Sequence, residues 1–564
     1  MNNRLSLLTL AAGVLLVAAC AKEQPPVTAE TATAEPARID AQRLSGHVRI
    51  LASDEFGGRA PGTPGEVKTV AYLVEQFEAM GIEPGGPDGS WTQTVPMIHT
   101  LLNAEGSLAT SQGGNRHLLQ QPDDIAISTV RADPAIAVDK APVVFVGFGV
   151  SAPERDWDDF GDIDLSGKIA LFLVNDPDFA AAADEPVAGR FGNRRMTYYG
   201  RWTYKFEEAA RRGAVGALVI HETEAAGYGW SVASSSPGEN YALADAEAPS
   251  LALQGWIHGD TASRLLAGAG HDLAQLRVAA RHPDFEAFEL NDTTFSADFQ
   301  VQVREIVSEN VLGLLPGSTH PDEVLMASAH WDSYGQGAPD AEGRTVRPGA
   351  NDDALGTAGV LELARVLKAG PPLQRSVVFA LWTAEESGLL GSKAYAGNPV
   401  YPLETTVANF TLDILQTAGL ARDVILVGEG QSELEDALAR VAATQDRVVT
   451  PESLPENGLF YRADHFSMAR GGVPVLLLMA IAGGNDLVEG GRAAGDQWVA
   501  DYVGNCYHQT CDAWDPDWDL AGAVQDIELF QLLIEDLGNS RRWPEWKAGS
   551  EFKAVRDASS TARQ

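Results

Sequence analysis

The chain passes directly from the apolar run SVVFAL into WTAEESGLLGS, so a stretch with the character of a buried strand ends on two adjacent carboxylates, Glu385 and Glu386. Other apolar runs end in the same way. VLMASA leads into His330, Trp331 and Asp332, and NFTL leads into Asp413. The loop GANDDALG carries Asp352 and Asp353, and VPVLLLMA is followed, after a longer excursion, by CYHQTCD with His508. Two imidazoles and three carboxylates make a donor set that borderline divalent cations such as zinc accept, one carboxylate being shared between two ions. A pair of such ions about 3.5 to 4 Å apart lowers the pKa of a water held between them and clamps the developing oxyanion of a hydrolysis. A carboxylate outside the donor set must then take the proton from that water. Adjacent glutamates satisfy both needs, one coordinating while its neighbour stays free. Singly, each signal is ordinary: His-x-Asp after a strand is commonly a satisfied polar pair, adjacent acids a solvated face, and a lone Asp a helix cap. Together, the carboxylates would repel one another unless cations lay between them.

For these side chains to meet, their elements must share one edge of one sheet. After Asn310, strand-like VLMASA, SVVFAL, NFTLDI, DVILV and VPVLLLMA alternate with helix-like TAGVLELARVLKAG, SELEDALARVAA and DIELFQLLIEDLG. That rhythm predicts an α/β fold, a mixed and largely parallel sheet flanked by helices, whose functional crevice lies beyond the carboxyl ends of the strands. RLSGHVRILA and VKTVAYLVEQFEAMGI have helical spacing and are separated by the turn-rich SDEFGGRAPGTPG. From about Ala141 the texture changes to short β-branched runs, APVVFVGFGV, GKIALFLV and VGALVI, with a helix expected over KFEEAARRGA, which suggests a separate small β-rich module.

SAHWDS, GANDDALGTAGVLELAR, WTAEESGLLGS, TLDI and YHQTCD, in this order, resemble the co-catalytic zinc exopeptidases, the family that includes bacterial aminopeptidases, glutamate carboxypeptidase and the transferrin receptor. FGGRAPGTPGEVKTVAYLVEQF is similar to the entry of that domain, and RWTYKFEEAARRGAVGALVIH resembles the protease-associated domain often inserted in it. The resemblance implies two zinc ions per subunit, His330 and Asp413 holding one, Glu386 and His508 the other, and Asp352 bridging. It implies Glu385 as general base, Asp353 as a helix-start residue, and Asp332 as hydrogen-bond partner of the His330 ring. FYRADHFSMARGG is similar to an element that borders the substrate pocket in relatives, which makes Tyr461, Asp464 and His465 candidate substrate-binding residues, with helix capping as the other reading of Asp464 and His465. The remaining histidines, His47, His99, His117, His221, His258, His271, His282 and His320, have no comparable context and are expected to be structural or superficial.

The rest of the chain bounds these expectations. With 564 residues it exceeds a single core, and a formal charge of -37 argues against nucleic acid, whose phosphates need Lys and Arg. Arg4, the apolar stretch Leu5 to Val17 and LVAAC resemble a lipoprotein signal that would leave a lipidated Cys20, and AKEQPPVTAETATAEPA reads as a tether. Lipidation would leave Cys506 and Cys511, free or bridged around His508. The expected order is a signal at 1–20, a tether at 21–40, peptidase residues at 41–130, the protease-associated insertion at 131–290, the di-zinc domain at 291–548 and a disordered tail at 549–564. The expected protein is an exported zinc metallopeptidase, an aminopeptidase anchored by lipid, in the outer membrane facing the periplasm or cell surface. Its partners would be peptides, the membrane and a protein ligand of the insertion. The alternatives are a carboxypeptidase or dipeptidase using Arg344, Arg347, Arg462 or Arg470 for a free carboxylate, a single-zinc cyclase, and a receptor-like binding protein. Loss of catalysis would show as missing ligands, and none is missing.

Overall fold

The computed structural model describes residues 37–244 and 249–563. The signal at 1–20, Cys20 and most of the tether lie outside the described residues. Asp40 caps α1 (Ala41–Leu51) by accepting from the Gln42 and Arg43 N–H groups. Pro64 opens α2 (Pro64–Met80), and Gly81 in the left-handed region closes it. β1 (Thr92–Leu102) follows. The middle segment supplies β2 (Ile125–Ser128), β3 (Ala135–Phe145), β4 (Ile169–Leu173), α3 (Trp202–Arg211), β5 (Gly216–His221) and β6 (Leu253–His258). A 28-residue strand, β7 (Phe288–Leu315), leads back. Then come β8 (His320–His330), α4 (Leu355–Ala369), β9 (Arg375–Trp382), α5 (Leu390–Gly397), β10 (Thr406–Leu412), α6 (Leu434–Thr444), α7 (His465–Arg470), β11 (Val475–Leu478) and α8 (Ala521–Gly538).

Along the sheet the strands run β11-β10-β8-β9-β7 and continue through β3-β4-β5-β6-β2. The first four are parallel, so their carboxyl ends share one edge. β7 pairs antiparallel with β9 through Val311–Leu315, with β1 through Val301–Val311 and, nearer its start, with β3. One strand thereby welds the middle module to the sheet that carries the donors. Every residue of β9 and β10 is buried, as a strand covered on both faces requires. One face packs Val324, Met326, Val378, Ala380 and Trp382 against Phe460, Phe466 and Met468. On the other face α4 approaches closely: a Cβ on Gly359 would lie 2.6 Å from Leu412 Cδ1. The middle module has its own apolar clusters, one around Phe145, Leu171 and Ile220 and one around Val144, Phe172 and Val219.

Three details depart from expectation. DVILV forms a strand, Asp423–Leu426, but it pairs with Val448–Pro451 in a separate two-stranded ribbon. The second sheet draws on residues before 131, since Ser107–Gln112 pairs with β7 and β2 pairs with β6. The segment 549–564, expected as a disordered tail, is folded through Arg563 and includes a helix over Lys553–Ala558. The Phe552 ring packs tilted against Trp546 at 4.9 Å, and the buried Arg556 donates to the Thr406 carbonyl at 3.0 Å, so apolar burial that composition alone did not disclose anchors it. Among the described residues no helix is long and apolar enough to cross a membrane.

Candidate metal centre

The turn after β9 answers how two glutamates come to end a buried strand. The Thr383 N–H donates to Asn310 Oδ1 at 3.1 Å, and Ala384 then takes a φ of 51°, a left-handed conformation that costs an L-residue roughly 1–2 kcal/mol. This reversal aims the next two N–H groups at one acceptor. Asp332 accepts from the Glu385 N–H at 3.0 Å and the Glu386 N–H at 3.4 Å. The loop before α4 is held as firmly: Asp512 accepts from the Asn351 and Asp352 N–H groups at 3.0 and 3.1 Å. Asp353 accepts from the Gly356 N–H at 2.9 Å and the His330 N–H at 3.2 Å, and is thereby occupied at the start of α4. The Asp352–Asp353 peptide is cis.

Two groups of donors result, and they share a residue. His330, Asp352 and Asp413 form one and Asp352, Glu386 and His508 the other, with the donor atoms of each group within 4.8 Å of one another. His330 Nε2 lies 3.1 Å from one Asp352 oxygen, and His508 Nε2 lies 3.3 Å from the other and 3.5 Å from Glu386. Both rings are engaged from behind. His330 Nδ1 faces the Asp332 carbonyl at 3.2 Å, and His508 Nδ1 faces the Tyr334 hydroxyl at 3.1 Å. With the proton on Nδ1, each Nε2 lone pair is directed into the acidic cluster. The expected bond from the Asp332 carboxylate to His330 is longer, 3.5 Å, because that carboxylate holds the turn after β9; the backbone carbonyl of the same residue is nearer the ring.

The electrostatics match a cation site. Burial, joined by the charges of Asp413, Asp464 and Asp352, pushes Glu385 well above the usual carboxylate range. Burial, with Asp352 and Glu385, does the same to Glu386, and burial with Asp352 raises Asp413 to about 8. Burial alone would lower His330, but Glu385, Asp332 and Asp352 outweigh it and raise it. Glu386 Oε1 is buried without a hydrogen-bond partner. An orphaned oxygen among nitrogen and oxygen donors, with the carboxylates resisting simultaneous ionisation, fits one or more divalent ions. Glu385 belongs to neither donor group.

A cavity of about 350 Å³ opens in front of the donors, lined by Asp352, Glu385, Glu386, Asp413 and His508 together with Tyr461. Arg201, Trp202 and Tyr228 of the middle module complete its wall. Of the candidate substrate residues only Tyr461 reaches this cavity. Asp464 and His465, at the start of α7, are buried and lie outside the lining: Asp464 feels the charges of His330, Asp332 and Lys393, and the His465 ring packs edge-on against Phe460 at 4.9 Å. Asp464 makes no capping bond to α7. Arg462 and Arg470 line the cavity, whereas Arg344 is paired with Asp340 on an exposed loop. Cys506 and Cys511 are bonded, with Cα atoms 5.0 Å apart on either side of His508, whose φ is 63°. Sequence reasoning missed Tyr334, Asp512, Tyr507 and Arg59. Asp512 and Tyr507 lie in the CYHQTCD motif itself, so proximity to His508 was a usable signal. Arg59 carried none: fully buried, it donates to the carbonyls of Trp331, Leu51, Pro348 and Gly349 and ties the two donor loops together.

Residues 310–530 match the model of peptidase family M28. A probable lipoprotein aminopeptidase, LpqL of Mycobacterium tuberculosis (strain ATCC 25618 / H37Rv), is 25% identical over 66% of this chain and 58% of its own length. Aminopeptidase YwaD of Bacillus subtilis (strain 168) is 34% identical over 24% of this chain and 28% of its own. The chain thus spans little more than half the length of the first of these relatives. Among solved structures, the aminopeptidase from Aneurinibacillus sp. strain AM-1 has a TM-score of 0.47 at 20% identity, covering 88% of this chain and 94% of that one. The matched segment holds both donor groups and Glu385, and it is this part of the chain, residues 310–530, that is similar to peptidase family M28.

Proposed function

We propose that this protein is a two-zinc metallo-exopeptidase that removes amino-terminal residues from peptides. The observation that carries the reading is the pair of donor groups sharing Asp352, with Glu385 beside them and in neither. His330, Asp352 and Asp413 would hold one zinc, and Asp352, Glu386 and His508 the other. Bound there, the ions would supply Lewis acidity and a lowered water pKa. The chain's own residues do the rest. Glu385 takes a proton from the attacking water and delivers it to the departing amine, Asp332 fixes the turn that aims Glu385, and the Tyr507 phenol in the cavity wall offers a donor to the substrate carbonyl. The middle module, residues 131–290 together with the earlier strands Ser107–Gln112 and Ile125–Ser128 that join its sheet, is read as an inserted protease-associated domain that shapes access to the cavity and offers a surface to protein partners. The lipobox-like LVAAC and the lipoprotein name of LpqL support the reading of export and a lipid on Cys20.

Metal analysis combined with hydrolysis of free, N-acetylated and C-amidated peptides tests this reading. Two zinc equivalents and cleavage restricted to peptides with a free amino group are expected. Cleavage of the N-acetylated set alone moves the protein to the carboxypeptidase reading, which the cavity arginines favour. Metal binding with no cleavage moves it to the receptor-like reading.

A further inference from the structure

A second cavity, of about 730 Å³, adjoins the one that holds Glu385. Trp202, Thr203, Glu207, Gly388, Lys393 and Arg470 belong to both walls, so the two spaces abut along the junction of the middle module and the peptidase sheet. Ser387, Gly388 and Leu390, directly after the paired glutamates, line the peptidase side of the second cavity. Its other side is the half-buried strand Glu239–Leu243, which pairs antiparallel with β1 and, among the described residues, with no strand on its other edge. The Leu102 N–H donates to the Gly238 carbonyl at 2.9 Å and the Ala244 N–H to the Pro96 carbonyl at 3.0 Å. Both pairs continue the register of this ladder, in which opposed residues alternate between bonded and non-bonded. Asn240 and Ala242 therefore turn their backbone groups to β1, and those of Tyr241 and Leu243 point to the unpaired edge. Asn240 Oδ1 meets the Tyr241 N–H at 2.8 Å, whereas the Leu243 N–H and both carbonyls are bonded to no described residue. The five consecutive residues from Asn240 to Ala244 all line the cavity. A strand face would contribute every second residue, so the cavity follows the edge.

We propose that the unpaired edge of Glu239–Leu243 docks the downstream part of a peptide substrate as an added strand, so that the protein prefers oligopeptides to dipeptides. Unpaired edges recruit extended chains through main-chain hydrogen bonds, which every peptide can make whatever its side chains. Continuity with the donor cavity fixes the occupant: a chain held for cleavage at the donors runs on past Gly388, common to both cavities, into the space walled by the edge. This deepens the exopeptidase reading and rests on it for turnover, though not for binding.

The test compares Leu-Ala amide with Leu-Ala-Ala-Ala-Ala amide, both without a free carboxylate. Their kcat/KM values are measured on the zinc-loaded enzyme, and their Kd values by calorimetry on the zinc-loaded Glu385→Gln protein. The longer peptide should be favoured roughly tenfold or more in both. Methylating its downstream amide nitrogens one at a time should give an alternating pattern, a loss of about fivefold or more at residues facing the edge and less than about twofold at those between, because only every second residue of an added strand bonds the edge. Thr203→Trp, which fills the wall common to both cavities, should bring the length ratio to within about twofold of unity. A flat length profile, as an edge already paired by a second copy of the chain would give, overturns the proposal. So does a gain without alternation on methylation, an arm made in the substrate that stands whether or not the Thr203→Trp protein folds, and so does a gain that folded Thr203→Trp retains. Length-dependent binding without hydrolysis would instead overturn the exopeptidase reading and leave the edge site standing.

Discussion

Asp332 shows how one side chain sets the chemistry of others without touching substrate. Its carboxylate accepts from two successive N–H groups, so Glu386, proposed as a metal ligand, and Glu385, proposed as the proton carrier, are oriented by a single acceptor. Glu385→Gln should lower kcat about 10³-fold while metal analysis still finds both ions, because the amide keeps the shape but cannot take a proton. Asp332→Ala should weaken metal affinity about 10- to 100-fold, read by competition with a chelator, since the turn and the His330 loop both loosen. Away from the site, His47 gives the protein an acid-sensitive point. Its Nδ1 meets the Tyr72 hydroxyl at 2.7 Å, and burial lowers its pKa to about 4. The unfolded chain protonates His47 near 6.5 while the folded protein does not, so this contribution is complete above pH 6.5 and is lost on descending toward 4. The slope is about 1.4 kcal/mol per pH unit. His47→Gln should flatten the dependence of the urea midpoint on pH across that window.

At the scale of elements, the donors sit where parallel strands end, and each loop that follows is tied down by a different device. The turn after β9 uses Asp332 and Asn310, the loop before α4 uses Asp512, and the segment before α8 that carries His508 uses the Cys506–Cys511 bond. A disulfide closing so short a loop contributes about 2 kcal/mol by chain entropy. Replacing both cysteines by serine should lower the thermal midpoint correspondingly and selectively weaken one of the two metal equivalents, since only His508 lies within the bridge. The C-terminal segment is part of the core in the same sense: Phe552 packs among Trp546, Phe460 and Phe466, and Phe552→Ala should destabilise the fold by about 3 kcal/mol in chemical denaturation.

For the whole molecule, the question is whether the middle module is an appendage or a wall. β7 runs through both sheets, Tyr198 packs 5.1 Å from Phe466, and the Met196 N–H donates to the Pro455 carbonyl at 3.1 Å. Residues 38–564 form one compact unit. Calorimetry should therefore show one unfolding transition with equal calorimetric and van't Hoff enthalpies; two separated transitions would mean that the module unfolds independently.

Much of this was legible before any coordinates. Runs such as SVVFAL and VLMASA identify themselves as doubly covered strands because their apolar residues are continuous, and the polar residues that end them must then lie at the sheet's edge. Residue chemistry supplied the donor types and the free carboxylate, since valence and charge depend on identity alone. What required the tertiary structure was everything set by distance and direction. The Asp332 carboxylate turns to the Glu385 and Glu386 N–H groups, Asp464 and His465 face inward, and Arg59 and Arg201 arrive from segments far away in the chain. Local periodicity reports which face of an element is buried, but contacts between remote loops are decided only when the sheet closes and the surrounding side chains compete for the same buried hydrogen-bond partners.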